Sequence, residues 1–248
     1  MKNNYFYHKQ NDLTLDNKLL KSLDNSIINI IETQKKQHLY KTIFFNKINQ
    51  DLENNLTKQL SFFFNKLNLY KNSHIFIVGL GSDYHTPDSV GPNVLKHLKV
   101  NAYLENLGIK LQKPKVSSLK PGVLGETGIL SEKTISSITK EIKPDVVILI
   151  DSFICNDVKY LNKTIEINDY GLSPGIGIKK INSIINKSTL HIPVLVIGVP
   201  TAILITFKNN YNQNNTPYLL STKDIDEYVI KIAELIGNSI NKAIDSLS

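Results

Sequence analysis

The sequence contains no arginine, so all 29 of its basic residues are lysine. Arginine supplies the planar fork that reads guanine edges and clamps phosphates, so sequence-specific nucleic-acid recognition lacks its commonest tool; only non-specific lysine contacts remain open. Cysteine is almost as scarce. The single Cys155 excludes a disulfide scaffold and a cysteine zinc cluster, and fits a reducing compartment, with the cytoplasm as the expectation. Long apolar runs are missing too. The longest uncharged stretch, Ile192 to Phe207, is shorter than the roughly 20 residues that cross a bilayer and is broken at Pro200, so it reads as a buried strand followed by a loop. The N-terminus, Met1 to Gln10, is polar and aromatic where a secretory leader would be apolar. No membrane partner is expected.

What is present is enough for a core: 248 residues, 41% of them hydrophobic. The net charge of +7 divides into +5 over residues 1 to 72 and +2 over the rest. Asn, Ile and Lys are abundant throughout, so the charge follows overall composition and names no partner. Residues 11 to 72 read as two or three helices, with Leu13, Leu15, Leu19, Leu20, Leu23, Ile27, Ile28 and Ile31 at helical intervals and a further apolar stretch from Phe62 to Leu69. Residues 1 to 72 are thus expected to be a divergent helical segment, ahead of an α/β domain over residues 73 to 248.

That domain opens with His74-Ile-Phe-Ile-Val78 followed by Gly79-Leu-Gly81, a strand running into a turn. Val146 to Ile150 and Pro193 to Val199 have the same form, as expected for parallel strands covered on both faces. Helices are predicted over Pro92 to Lys99, Glu132 to Ile142 and Thr222 to Ile244. The last has Ile225, Val229, Ile232, Ile236, Ile240 and Ala243 on one stripe and Thr222 as N-cap. Alternating strands and helices predict a mostly parallel, doubly covered sheet. Asn209 to Asn215 is a low-complexity loop.

In such a sheet the functional crevice lies beyond the carboxyl ends of the strands. This selects the segment from Gly79 to Pro92, Asp151-Ser-Phe153, and Gly198-Val-Pro-Thr201. Asp88 and Asp151, facing each other there, would share one proton and activate water for amide hydrolysis, one as base and the other as acid. The plainer reading makes each a cap for the helix that follows. Gly79-Leu-Gly81 lacks the third glycine and the acid of a dinucleotide fingerprint, and there is no phosphate loop, Gly-x-Ser-x-Gly elbow or His-Glu-x-x-His helix. Cys155 has no histidine near it in sequence and reads as a semi-buried thiol. His85 and Asp83 could join Asp88 and Asp151 around a metal, or lie in a solvated loop.

Three segments in order carry a family resemblance: Thr86-Pro-Asp-Ser-Val-Gly-Pro92, Lys120-Pro-Gly-Val-Leu-Gly-Glu-Thr-Gly-Ile129 and Lys143-Pro-Asp-Val-Val-Ile-Leu-Ile-Asp151. Asn168 to Gly177, His191 to Thr201 and Thr222 to Asp226 agree with them. Together, over about residues 74 to 248, the chain resembles the germination proteases of spore-forming bacteria. The resemblance implies a three-layer α/β/α sandwich like that of hydrogenase maturation proteases. It also implies an endopeptidase that degrades small acid-soluble spore proteins at germination, located in the spore core, without a cofactor or obligatory metal, as a homotetramer. It places the catalytic aspartates on Asp88 and Asp151; Glu126, Thr127, Ser173 and Thr201 are expected to contact substrate. The chain departs from the family at Ser173, where a histidine is usual, at Glu126, where a small polar residue is usual, and over residues 1 to 72, which do not match the longer propeptide-bearing N-terminus.

Overall fold

A computed structural model describes residues 28–174, 184–207 and 216–247. Eight strands form one sheet in the order β1-β2-β6-β7-β5-β3-β4, with β8 pairing β7 outside this path. The strands are β1 (Asn29–Lys35), β2 (His38–Phe44), β3 (His74–Gly79), β4 (Lys115–Leu119), β5 (Val146–Cys155), β6 (Thr164–Asn168), β7 (Val194–Phe207) and β8 (Thr216–Leu220). The three predicted strands are adjacent and parallel, β5 lying between β3 and β7, with β4 added beside β3. The sheet as a whole is less parallel than expected. The pairings β1–β2, β2–β6, β6–β7 and β7–β8 are antiparallel, so the fold is a mixed α/β sheet with a parallel centre.

The N-terminal expectation needs the largest correction. The described part of residues 11 to 72 begins with a hairpin, not a helix: β1 and β2 pair from Asn29↔Phe44 to Lys35↔His38 around a turn in which Lys36 takes φ 55°. The isoleucines at 28, 30 and 31 fit helical and strand spacing alike over so short a run, and pairing of β2 with β6 decides for strand. One helix follows, α1 (Gln50–Lys66), capped by the Asn49 side chain, which accepts from the Leu52 N–H at 3.0 Å. Its Leu52, Leu56, Leu60, Phe63 and Phe64 are buried in the core shared with β3 and β5. Met1 to Ile27, with the earlier leucines of that pattern, and Asn209 to Asn215 lie outside the described residues.

Seven helices are described in all. Besides α1 they are α2 (Val90–Leu95), α3 (Tyr103–Asn106), α4 (Leu124–Thr127), α5 (Ser131–Ile142), α6 (Lys187–Leu190) and α7 (Ile225–Asp245). The predicted stripe of α7 is buried as expected, with Val229, Ile232, Ile236 and Ile240 joining the α1 cluster. Each such aliphatic chain contributes about 1.5–3 kcal/mol on burial. The N-cap of α7 is Asp224, not Thr222, whose hydroxyl instead accepts from Asn162 Nδ2 at 2.6 Å. Strand residues alternate between two clusters. Ile75, Ile77, Ile148, Ile150 and Ile197 face α1, α2 and α7, whereas Phe76, Val78, Val147, Leu149 and Val196 face Ile135 of α5 and Leu190 of α6.

Two strands run on past their predicted ends. β5 continues through Asp151 to Cys155, and β7 passes Pro200 to Phe207, where a loop was expected. The partners explain this. β5 and β7 pair from Val147↔Val194 to Cys155↔Ile203, with a register shift between Phe153 and Ile154 that accommodates Pro200, and β8 pairs the distal part of β7.

Candidate active site

The turn after β3 is bound tightly to the ends of β3 and β5. Leu80 N–H donates to the Ile150 carbonyl at 2.8 Å, and Ser82 N–H donates to the Asp88 carbonyl at 3.0 Å. Gly81 has φ +109°, and a Cβ there would stand 1.8 Å from the Asp88 carbonyl oxygen, so only glycine closes this turn. Gly91 lets α2 approach equally closely, since a Cβ would lie 2.6 Å from the Ile150 carbonyl oxygen. Thr86–Asp88 forms a single 3-10 turn with Pro87 near its start. Thr201, from β7, donates its hydroxyl to the Pro87 carbonyl at 2.6 Å. Three neighbouring strands thus fix the position of Asp88.

Neither aspartate caps a helix. Ser89 occupies the N-cap of α2, and Asp151 lies inside the β5 ladder opposite Gly198, accepting the Ser152 N–H at 2.9 Å. The two carboxyls are close enough that the charge of Asp88 raises Asp151. Both keep some surface open to water, yet protein surrounds them densely enough that loss of hydration dominates their ionisation. Burial pushes Asp88 up to about 6; Glu126 adds to the rise, while His85 and the Ser82 backbone N–H oppose it. Burial first, and then the Asp88 charge, hold Asp151 well above the ordinary carboxylate range. Asp88 therefore ionises first, and its charge keeps the proton on Asp151.

The other predicted residues fall in different places. Glu126, on α4, accepts a hydrogen bond from the Ser82 hydroxyl and is near enough to Asp88 to raise it. Thr127 is exposed, and its hydroxyl lies 3.1 Å from both the Val123 and the Ile129 carbonyl oxygens, donating to one of them and closing the local turn. Thr201 holds the Asp88 turn from below. Ser173 follows Leu172, which clusters with Val194 and Val196 near the start of β7, the end of the sheet away from Asp151. Asp83 is paired with Lys120. Among the described residues no group of three His, Cys, Asp or Glu side chains is arranged to hold a metal ion. An open polar depression of about 310 Å³ adjoins the turn, lined by Asp83, Thr86, Ser89, Lys96 and Asp226; neither Asp88 nor Asp151 lines it. Cys155 is buried against the Ala202 carbonyl, and burial pushes its thiol up, away from a nucleophilic thiolate.

Two groups near the pair were not singled out by sequence. Ser82 links Glu126 to the turn, since its hydroxyl also accepts the Tyr84 N–H at 3.1 Å. Glu166 lies on β6, and burial pushes it up to about 7 against the opposing charge of Lys35. The alternation in Thr164-Ile-Glu-Ile-Asn168 marks a strand with a carboxylate on it, a signal that was available.

Among the described residues no helix is long and apolar enough to cross a membrane. A sequence profile described as germination protease matches residues 18–210, reaching well ahead of the motifs that carry the resemblance. The chain is 36% identical over 160 residues to the germination protease of Geobacillus sp. (strain WCH70), covering 63% of this chain and 43% of that one. Germination proteases of Bacillus cereus (strain AH187) and Bacillus anthracis (strain CDC 684 / NRRL 3495) match at the same identity, with 44% of their length covered. The matched stretch spans less than half the length of these curated relatives.

Proposed function

Since the chain belongs to the germination protease family, we propose that it is an endopeptidase that cuts small acid-soluble spore proteins at germination, with Asp88 and Asp151 activating the attacking water. The observation that supports this most is the unequal pair at the carboxyl ends of the parallel strands, Asp88 poised near 6 and Asp151 held protonated. Ionised Asp88 takes a proton from water as the water oxygen attacks the peptide carbonyl carbon. Asp151 gives its proton to the carbonyl oxygen, and a neutral tetrahedral diol results. In the second half Asp88 gives its proton to the amide nitrogen, the C–N bond breaks, and Asp151 recovers a proton from the diol as the carbonyl re-forms. Both residues return to their starting states.

In this reading the sheet, with helices against both of its clusters, is a layered α/β/α scaffold of the hydrogenase maturation protease kind. The protein works in the spore core as a homotetramer. Thr201 and Glu126 act on Asp88, Thr127 contacts substrate beside them, Ser173 meets substrate only at a distance from the pair, and no metal takes part. The test is incubation with purified small acid-soluble spore proteins, with and without EDTA. Discrete fragments that persist in EDTA and vanish in the Asp88→Asn and Asp151→Asn variants are expected. Cleavage that survives both substitutions refutes the pair, and cleavage abolished by EDTA and restored by a divalent metal refutes the metal-free route.

A further inference from the structure

The sheet has an open edge beside the candidate site. β4 ends the strand order and, among the described residues, pairs only with β3, in parallel register from His74↔Lys115 to Val78↔Leu119. Along a parallel strand the backbone N–H and C=O of one residue point to the same side, and successive residues alternate. Lys115 N–H donates to the Ser73 carbonyl at 2.9 Å, so Lys115, Ser117 and Leu119 turn their backbone groups towards β3. Val116 and Ser118 turn theirs outward. These two residues differ in their surroundings. Val116 N–H donates to the Asn101 side chain at 2.7 Å, and the Val116 carbonyl accepts from the Asn101 and Ala102 N–H groups at 3.1 and 3.0 Å. The Asn101 amide also donates to the Pro114 carbonyl at 2.9 Å, which fixes this cover in place. Ser118 is exposed, and neither its N–H nor its carbonyl has a partner among the described residues.

The uncovered part of the edge is the part nearest the aspartates. Ser118 stands opposite Ile77, shortly before Gly79, where β3 gives way to the turn that carries Asp88. Just beyond it Lys120 reaches across to Asp83 of that turn, and Pro121, which has no N–H, limits further pairing. Proteins cover or charge their edge strands against unwanted pairing. Here the cover stops short and leaves a window one outward residue long. So short a window suits a passing extended chain better than a second folded copy, whose edge would have to pair over a longer stretch to hold the two together. A strand lying outside β4 is three strand spacings from Asp151, about 14 Å, and about four residues of extended polypeptide cover that distance.

We propose that the Ser118 backbone is a substrate-binding site, where an extended segment of the polypeptide to be cut lies against the outer edge of β4 as an added strand. The segment donates an N–H to the Ser118 carbonyl and accepts the Ser118 N–H, about four residues from the scissile bond. This rests on the proteolytic reading of Asp88 and Asp151. Recognition through backbone groups selects extended, unfolded chain and makes no demand on side chains at this point. The contact uses groups that β3 leaves free, so docking costs the sheet none of its own hydrogen bonds.

The test uses the whole chain and a fluorescein-labelled peptide of a small acid-soluble spore protein, with a series in which each backbone amide in turn is N-methylated. Binding is read by fluorescence anisotropy and cleavage by mass spectrometry. Ser118→Pro removes the outward N–H and leaves the β3 ladder intact, whereas Ser118→Ala keeps the backbone and removes only the hydroxyl. Ser118→Pro is expected to bind the peptide about fivefold more weakly, with KM raised and kcat little changed, and Ser118→Ala to match wild type. In wild type one N-methylation, about four residues from the scissile bond, should weaken binding to a similar extent while those on its two neighbours do not. In Ser118→Pro that difference should vanish. Wild-type affinity in a Ser118→Pro protein with an unchanged thermal melt overturns the proposal; where that variant melts early, the N-methyl series on wild type decides, and the absence of a single sensitive position overturns it. A Ser118→Pro change that alters sedimentation of the free protein but not peptide binding assigns the edge to contact between copies, and the proposal fails. Methylation-sensitive binding that depends on Ser118 without any cleavage upholds the edge site and overturns the proteolytic reading instead.

Discussion

The hydroxyl of Thr201 donates to the carbonyl of Pro87 at 2.6 Å, tying β7 to the turn that carries Asp88. Thr201 is buried and its own carbonyl accepts from the Ser221 hydroxyl, so the contact is held from both sides. Thr201→Val keeps the volume and β-branching but leaves the Pro87 carbonyl without this donor. The expected cost is about 1–3 kcal/mol in urea unfolding. Turnover should fall more than KM rises, because Asp88 loses its fixed place while the rest of the cleft is intact. Stability and kinetics equal to wild type would show that the turn is held by other bonds.

The proposed mechanism uses ionised Asp88 and protonated Asp151. Burial raises Asp88 to about 6, so activity should climb as pH rises through about 6 and be lost below it, where Asp88 becomes protonated. The alkaline limb belongs to Asp151, whose proton is held by burial and the Asp88 charge, and should appear well above the ordinary carboxylate range. A kcat/KM profile against pH checks both limbs. His85 opposes the rise of Asp88, so in His85→Asn the acid limb should persist and move to higher pH, and its disappearance would assign that limb to the histidine instead.

Glu126 raises Asp88 through its charge and accepts from Ser82. Glu126→Gln keeps an oxygen for the Ser82 hydroxyl while removing the charge. The acid limb of the pH profile should then move to lower pH, with a smaller effect on the plateau. An upward move would contradict the assigned direction.

Gly81 and Gly125 give a paired test of the turn. A Cβ on Gly81 would overlap the Asp88 carbonyl oxygen, and the backbone there is left-handed; around Gly125 nothing lies within 4 Å. Gly81→Ala should cost several kcal/mol, on the order of 3 or more, and abolish cleavage. Gly125→Ala, in α4, should leave stability within about 1 kcal/mol of wild type. Thermal melts of the two variants side by side check this.

The parallel centre was legible because β3, β5 and β7 are continuous apolar runs that read as strands without any knowledge of their neighbours. α7 was legible because 21 residues hold one stripe in phase. The β1–β2 hairpin was not. Seven-residue strands with isoleucines at mixed spacing satisfy both periods, and β6, a partner more than a hundred residues away, decides between them. The same cause hid the length of β5 and β7. Pro200 is a local stop signal, but the register shift opposite it lets the ladder continue.

For the candidate site, the local sequence determined which residue types stand at the strand ends: a carboxylate after Thr86-Pro, another closing a buried strand, and glycines that permit a tight turn between them. Their chemistry as a pair was decided only by tertiary structure. Desolvation and the charge of a neighbour are properties of assembled surroundings, and these raise Asp88 to about 6 and Asp151 well above the ordinary carboxylate range. Glu166 shows this most plainly. Its strand spacing was written in the chain, but its place in the same transverse row as Asp151 exists only because β6 pairs with β7 in that register and no other.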